Sequence, residues 1–254
     1  MGKTIKAKNL VIGEGVPKIC VPLVGHTQEA LEREAARLAA VKPDLVEWRV
    51  DFFHGVSDIG KVSAMLGMIS NLLQDIPLLF TFRSKEEGGE RFLSNEDYIS
   101  LNTAVIESGK IDLIDVELFK GREVLDRLIE KAHHHQTPVI VSNHDFQKTP
   151  PEEEIVRRLE MAWEAGGDIP KIAVMPQSSL DVLSLLKATC MMKELHPEIP
   201  IITMSMAGKG VISRIGGEIF GSAVTFGAVE RASAPGQLPA EKLRDVLSLI
   251  HDVQ

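Results

Sequence analysis

From Lys18 onward the chain repeats one pattern: a short apolar, β-branched run, a polar turn, then a longer stretch with apolar residues spaced three and four apart. The runs are Ile19–Val24, Leu45–Asp51, Leu78–Arg83, Leu113–Leu118, Val139–Asp145, Ile169–Met175, Ile201–Met206 and Ala223–Phe226. Each is too short for a helix and reads as a strand between turn signals. The longer stretches read as amphipathic helices. They carry Leu31, Ala35 and Leu38; then Ile59, Val62, Leu66, Ile69 and Leu73; then Asn95 to Ser108, with Gly109 as a C-cap. Next come Val124, Leu125, Leu128, Ile129 and Ala132; then Ile155, Leu159 and Trp163, closing at Gly166-Gly167; then Val182, Leu183, Leu186 and Cys190. A shorter helix near Ile212 to Gly217 and a last one with Leu243, Val246, Leu247 and Ile250 complete the series. Ahead of the repeat, Ile5, Ala7, Leu10, Val11 and Ile12 lead to Gly13-Glu14-Gly15, which suggests a hairpin within residues 1–16. Gly13-x-Gly15 lacks the third glycine and the helix of a nucleotide-binding turn.

Strict alternation of strand and helix argues for a parallel sheet covered by helices. About eight such units, with no linker or low-complexity segment between them, fit a single (β/α)₈ TIM barrel of the α/β class over residues 1–254, with a short N-terminal β-hairpin. An open doubly wound sheet is the alternative. It is disfavoured because no glycine-rich dinucleotide turn follows the first run.

Hydrophobic residues make up 44% of the chain and charged residues 25%, ordinary values for a globular protein. The net charge of −8 argues against nucleic acid or an anionic membrane surface as the main partner, but leaves room for a local cationic pocket. Cys20 and Cys190 stand in no metal-binding spacing, and no secretory signal is visible at Met1-Gly2-Lys3-Thr4. A reducing cytoplasm without a disulfide is therefore expected. No apolar stretch approaches a membrane span.

In a barrel the chemistry gathers at the C-terminal ends of the strands. Those ends hold Glu47, Arg49 and Asp51; Arg83 and the loop to Glu90; Asp115 and Glu117; Asn143-His144-Asp145; and Lys171. Strands seven and eight lead on to Arg214 and Ser233-Ala234-Pro235-Gly236-Gln237. Side chains alternate along a strand, so Glu47, Arg49, Asp115 and Glu117 could equally be outward ion pairs. Lys171 lies inside an apolar run, and burial of an ammonium favours the neutral, nucleophilic amine. His144, on the neighbouring strand, suits proton transfer. Together they support imine formation with a ketone or aldehyde, with arginines to hold a carboxylate and no metal or organic cofactor required. His133-His134-His135 is not read as a metal site, because consecutive helical positions point in different directions.

Several segments together resemble the type I 3-dehydroquinate dehydratase family. They are Glu47-Trp48-Arg49-Val50-Asp51, Phe80-Thr81-Phe82-Arg83, Glu87-Gly88-Gly89, Ser142-Asn143-His144-Asp145-Phe146, Pro170-Lys171-Ile172-Ala173, Thr203-Met204-Ser205-Met206, Ser213-Arg214 and Ala232 to Gln237. The resemblance runs through nearly the whole chain. It implies a (β/α)₈ barrel, a homodimer, and loss of water from 3-dehydroquinate to give 3-dehydroshikimate in the shikimate pathway. By motif match Lys171 is the Schiff-base lysine, His144 the general acid and base, and Glu87 its orienting partner. Arg214, Gln237 and Ser233 would hold the substrate carboxylate, and Glu47, Arg49 and Arg83 would meet its ring hydroxyls. Met204 and Met206 would form an apolar wall, and Phe226 completes the substrate-binding set. One position departs from the family pattern, with Pro22 where relatives often carry serine. The competing enzyme reading is a Schiff-base aldolase acting on a sugar phosphate, with Gly208-Lys209-Gly210 as its phosphate turn. The competing non-enzyme reading is a silent barrel that binds a metabolite, for which loss of the lysine or histidine would be the sign.

Overall fold

The computed structural model describes residues 3–229 and 233–254. Strands β1 (Ile5–Ala7) and β2 (Leu10–Ile12) form the expected antiparallel hairpin, with Ile5 opposite Ile12. The main sheet contains β3 (Lys18–Leu23), β4 (Leu45–Arg49), β5 (Leu78–Thr81), β6 (Leu113–Glu117), β7 (Val139–Asp145), β8 (Ile169–Val174), β9 (Ile202–Ser205) and β10 (Val224–Ala228). All are parallel neighbours in chain order, and β10 returns to pair with β3. The curl closes between β9 and β10 through one bridge, Ile201 to Ser222, where the Ala223 N–H donates to Ile201 O at 2.8 Å. The helices are α1 (Gln28–Val41), α2 (Ile59–Leu73), α3 (Asn95–Glu107), α4 (Arg122–His134), α5 (Glu152–Glu164), α6 (Ser179–Leu195), α7 (Val211–Ile215), α8 (Gly217–Phe220) and α9 (Ala240–His251). The result is the expected (β/α)₈ architecture.

The two-residue period of the strands divides the core into an outer and an inner part. Val46, Trp48, Phe80, Ile114, Val116 and Val141 face outward and pack with helix residues such as Leu31, Leu66, Tyr98 and Leu128. Ile172 and Val174 pack outward with Ile155, Leu159 and Leu185. The first inward layer is apolar: Cys20, Leu45, Leu79, Leu113, Ile140, Ile169, Ile202 and Val224. Ile5, Ala7 and Ile12 of the hairpin join that layer, so the hairpin stoppers the N-terminal end of the barrel. One step further along each strand the inward positions become Glu47, Thr81, Asp115, Ser142 and Lys171, all buried. Parity therefore settles the question left open by the sequence: Glu47, Arg49, Asp115 and Glu117 face the barrel interior.

Some expected details differ. Trp163 and Leu183 are 39% and 59% exposed, and Ala162 and Leu185 take the buried positions instead. Trp163 lies against the His196 ring, 5.0 Å between centroids. The short helix before the last strand is two pieces, α7 and α8, separated by Gly216. A two-residue strand, β11 (Leu238–Pro239), pairs with β10, and nothing in its sequence announces it. Both cysteines are free, Cys20 buried and Cys190 partly so. Pro22 sits in a central strand opposite Glu47, where it removes one ladder donor.

Candidate active site

Lys171 is the inward residue midway along β8, in register with Ser142 of β7 and Ile202 of β9, and is 2% exposed. Its Nζ lies 3.1 Å from Asp115 Oδ2, 3.7 Å from Glu47 Oε1 and 4.8 Å from the centroid of the Phe226 ring. The ammonium is thus buried but not alone, since two carboxylates offset its lost hydration. His144 is the next inward residue beyond Ser142 on β7. Its Nδ1 lies 3.0 Å from Glu87 Oε2, and its ring stacks on Phe146. Among the described residues no protein group bonds its other ring nitrogen, and the side chain lines the cavity.

Glu87 comes from a single 3₁₀ turn, Lys85–Glu87, stopped by Gly88 at φ +82°. The chain then doubles back so closely that a Cβ on Gly89 would fall 1.9 Å from Arg83 O. Only glycine permits that return. Asp51 holds the same loop from beneath, accepting the Glu90 N–H at 3.1 Å while clamping Arg49 through Nε and Nη2, both at 2.8 Å.

Arg83 ties the two reactive side chains together. Its Nη1 donates to Glu87 Oε2 (3.2 Å), Glu117 Oε1 (3.0 Å) and Ser142 Oγ (3.0 Å), and its Nη2 to Asp115 Oδ1 (2.7 Å). Ser142 in turn donates to Asp115 Oδ1 at 2.6 Å. Proton affinities follow from this arrangement. Burial would raise Asp115, but the Arg83 and Lys171 charges and the hydrogen bonds from Ser142 and Lys171 hold it at about 2. Burial pushes Glu87 up to about 8, with Glu117 and Asp115 adding to the rise against the pull of Arg83. Burial, then the Arg83, Lys171 and Arg49 charges, drives His144 well below the usual imidazole range.

Beside these groups lies a cavity at the barrel mouth. Of the residues expected from sequence, Lys171, His144, Glu87, Glu47, Arg49, Arg83, Met204, Met206, Phe226, Ser233 and Gln237 line it. Gln237 and Ser233 bond to each other: the Ser233 N–H donates to Oε1 at 3.0 Å, and Nε2 donates to Ser233 Oγ at 3.1 Å. Arg214 stands behind the wall, its Nη1 3.9 Å from Met204 Sδ and its Nη2 donating to Pro235 O at 3.1 Å. It is 1% exposed with no carboxylate partner among the described residues, and burial lowers it to about 10. Ala232 lies outside the described residues, as do Met1 and Gly2. Sequence reasoning placed Asp115 at the mouth without a role and gave none to Phe146. Strand parity with Leu113 was the available signal for Asp115. Among the described residues no group of three His, Cys, Asp or Glu side chains is placed to hold a metal, and His133 instead meets Asp168 at 2.8 Å.

A buried lysine and an imidazole sharing one cavity at the C-terminal mouth of a barrel define an enzyme site for a small polar molecule. The chain belongs to the type I 3-dehydroquinase family, whose model matches residues 19–254, and is by that membership an enzyme of the hydro-lyase class. It is 54% identical over 251 residues to the 3-dehydroquinate dehydratase of Bacillus licheniformis, with 99% of each chain covered. Against the 3-dehydroquinate dehydratase of Listeria monocytogenes the identity is 56% over 251 residues, again covering 99% of each. A crystal structure of type I 3-dehydroquinate dehydratase from Clostridium difficile, with covalently modified comenic acid, superposes with a TM-score of 0.97 at 52% identity over 100% of both chains.

Proposed function

We propose that this enzyme converts 3-dehydroquinate to 3-dehydroshikimate and water, the reaction named for its relatives in the shikimate pathway, through an imine on Lys171. The Nζ lone pair attacks the ring ketone, the former carbonyl oxygen leaves as water, and a protonated C=N bond remains. That cation draws electrons from the neighbouring carbon, so His144, through its unbonded nitrogen, can take a C2 proton. The same imidazole returns a proton to the C1 hydroxyl, which departs as water. Hydrolysis of the imine then frees Lys171 and the product. Glu87 keeps the imidazole oriented. Arg214, buried without a carboxylate partner among the described residues, fits the substrate carboxylate once the Ser233–Gln237 segment gives way, and Met204, Met206 and Phe226 supply the apolar wall.

The observation that carries this reading is a buried lysine lining the same cavity as a histidine whose other nitrogen is already committed to a carboxylate. Borohydride added with 3-dehydroquinate is expected to fix a stable mass increase on Lys171. An adduct elsewhere, or none, would remove the lysine from its role. A cytoplasmic homodimer belongs to the same family reading. No helix among the described residues is long and apolar enough to cross a membrane.

A further inference from the structure

Asp115 has no place in the scheme above, yet it touches the reacting atom. It sits on β6, separated from β8 only by β7, is fully buried, and does not line the cavity. Its Oδ1 is taken by Arg83 Nη2 at 2.7 Å and by the Ser142 hydroxyl at 2.6 Å. Its Oδ2 faces Lys171 Nζ at 3.1 Å. With both oxygens committed and no surface on the cavity, Asp115 is not a substrate ligand.

We propose that Asp115 is a further catalytic residue, the fixed counter-ion of the Lys171 nitrogen, holding positive charge there through carbinolamine and iminium while passing no proton itself. The inference rests on the imine reading. When Nζ attacks the ketone and the oxygen leaves as water, the nitrogen ends with the same positive charge it had as an ammonium. A carboxylate locked by Arg83 and Ser142 meets both forms without moving, so no reorganisation accompanies the step. A carboxylate held at about 2 stays anionic wherever the enzyme works and cannot accept the lysine's proton. That proton leaves by another route, and Glu47 Oε1, 3.7 Å from Nζ, is the second carboxylate near the nitrogen but lies beyond hydrogen-bond range of it.

The groups around the nitrogen define what removing this charge does. Glu47 faces it from β4 and the Phe226 ring from β10, while Arg83 approaches behind Asp115 from beyond β5. His144 on β7 and the Cys20 thiol on β3 feel its charge, the thiol raised by burial and so uncharged. Asp115→Asn leaves Glu47, among the described residues, as the one anion close to the nitrogen, opposed by the Arg83 cation. Both the ammonium and the iminium then release a proton at lower pH.

The experiment is substrate-dependent capture of Lys171 by cyanoborohydride, followed by mass spectrometry across the neutral pH range, in the full-length enzyme. For D115N the capture profile is expected to move to lower pH by about one unit or more, because an opposite charge in contact has been removed. D115E, which keeps the charge, is expected to retain the wild-type profile at a lower rate. If D115N does not fold, D115S, neutral and with room for a water, replaces it. A packing defect lowers the rate without displacing the profile. A folded neutral variant with an undisplaced profile, or one displaced upward, overturns the role of Asp115. Absence of any wild-type adduct on Lys171 overturns the imine reading itself.

Discussion

Glu87 shows how much chemistry one buried carboxyl can set. Held at about 8 by burial, beside an imidazole pushed well below its usual range, it forms with His144 a pair that keeps one proton through neutral pH. In the proposed mechanism the neutral imidazole of this pair takes the C2 proton through its unbonded nitrogen and returns it to the C1 hydroxyl, while the proton on Glu87 keeps the charges at the mouth in balance. Turnover should therefore decline as pH rises past about 8, where the pair empties. Glu87→Gln keeps the shape and a hydrogen-bonding partner for Nδ1 but cannot titrate. The alkaline decline should vanish and kcat should fall about tenfold or more. Capture of the Lys171 imine should be unchanged, since the lysine's own partners, Asp115 and Glu47, are intact. A pH–rate profile with the alkaline limb still near its wild-type position would show that another group sets it.

At the scale of elements, α6 has the best-defined start in the chain. Ser178 Oγ accepts the Asp181 N–H at 3.3 Å, and Asp181 returns the bond to the Ser178 N–H at 3.0 Å, a full capping box. Ser178→Ala should cost about 1 kcal/mol, visible as a melting point lower by about 2–4 °C, with kcat unaffected. An unchanged melting temperature would mean that Asp181 alone secures the turn. The same helix shows where sequence reading reaches its limit. Alternating strands and helices were legible because a barrel buries both faces of every strand and one face of most helices. On α6, however, apolar residues stand on both sides, so period alone assigned Leu183 to the core when Leu185 and Ala188 fill it and Leu183 is exposed. Trp163 misled in the same way on α5, because a large apolar side chain looked like a core residue beside the smaller Ala162 that is one. The site was legible where chemistry sits on strands: Lys171 and His144 were read from their strand positions, whereas Glu47 and Arg49 stayed open until the structure fixed which way they face. It was less legible on turns. The 3₁₀ turn that delivers Glu87, and the Asp51 carboxylate that fixes the following loop, depend on backbone contacts that no periodicity encodes.

On the scale of the whole molecule, the described residues of the barrel mouth form a buried ionic cluster whose formal charges cancel when Glu87 is protonated. Glu47, Asp51, Asp115 and Glu117 then stand against Arg49, Arg83, Lys171 and Arg214. The cluster makes stability depend on pH from both sides. Glu87 and His144 must be treated together. In the unfolded chain they titrate near 4.5 and 6.5, whereas in the folded protein one proton is held up to about 8 and the second is refused until well below 6.5. Just below 6.5 both states hold about one proton and the pair adds little slope. Above 6.5 the unfolded chain has released that proton while the folded pair still keeps it, so stability from the pair is lost as pH rises through about 8. Asp115 supplies the acid side, since its folded value of about 2 lies beneath the unfolded 3.8, and its contribution is lost as pH falls through that window. Urea unfolding followed over pH should therefore show a midpoint that is highest on the weakly acidic side of neutrality, falls above 6.5 through Glu87 and His144, and falls again below 3.8 through Asp115. In Glu87→Gln the alkaline fall should flatten while the acid fall persists through Asp115. A midpoint that climbed from pH 6.5 to 8 in the wild-type protein would mean that the folded pair gives up its proton early and that the mouth carries net negative charge at neutral pH.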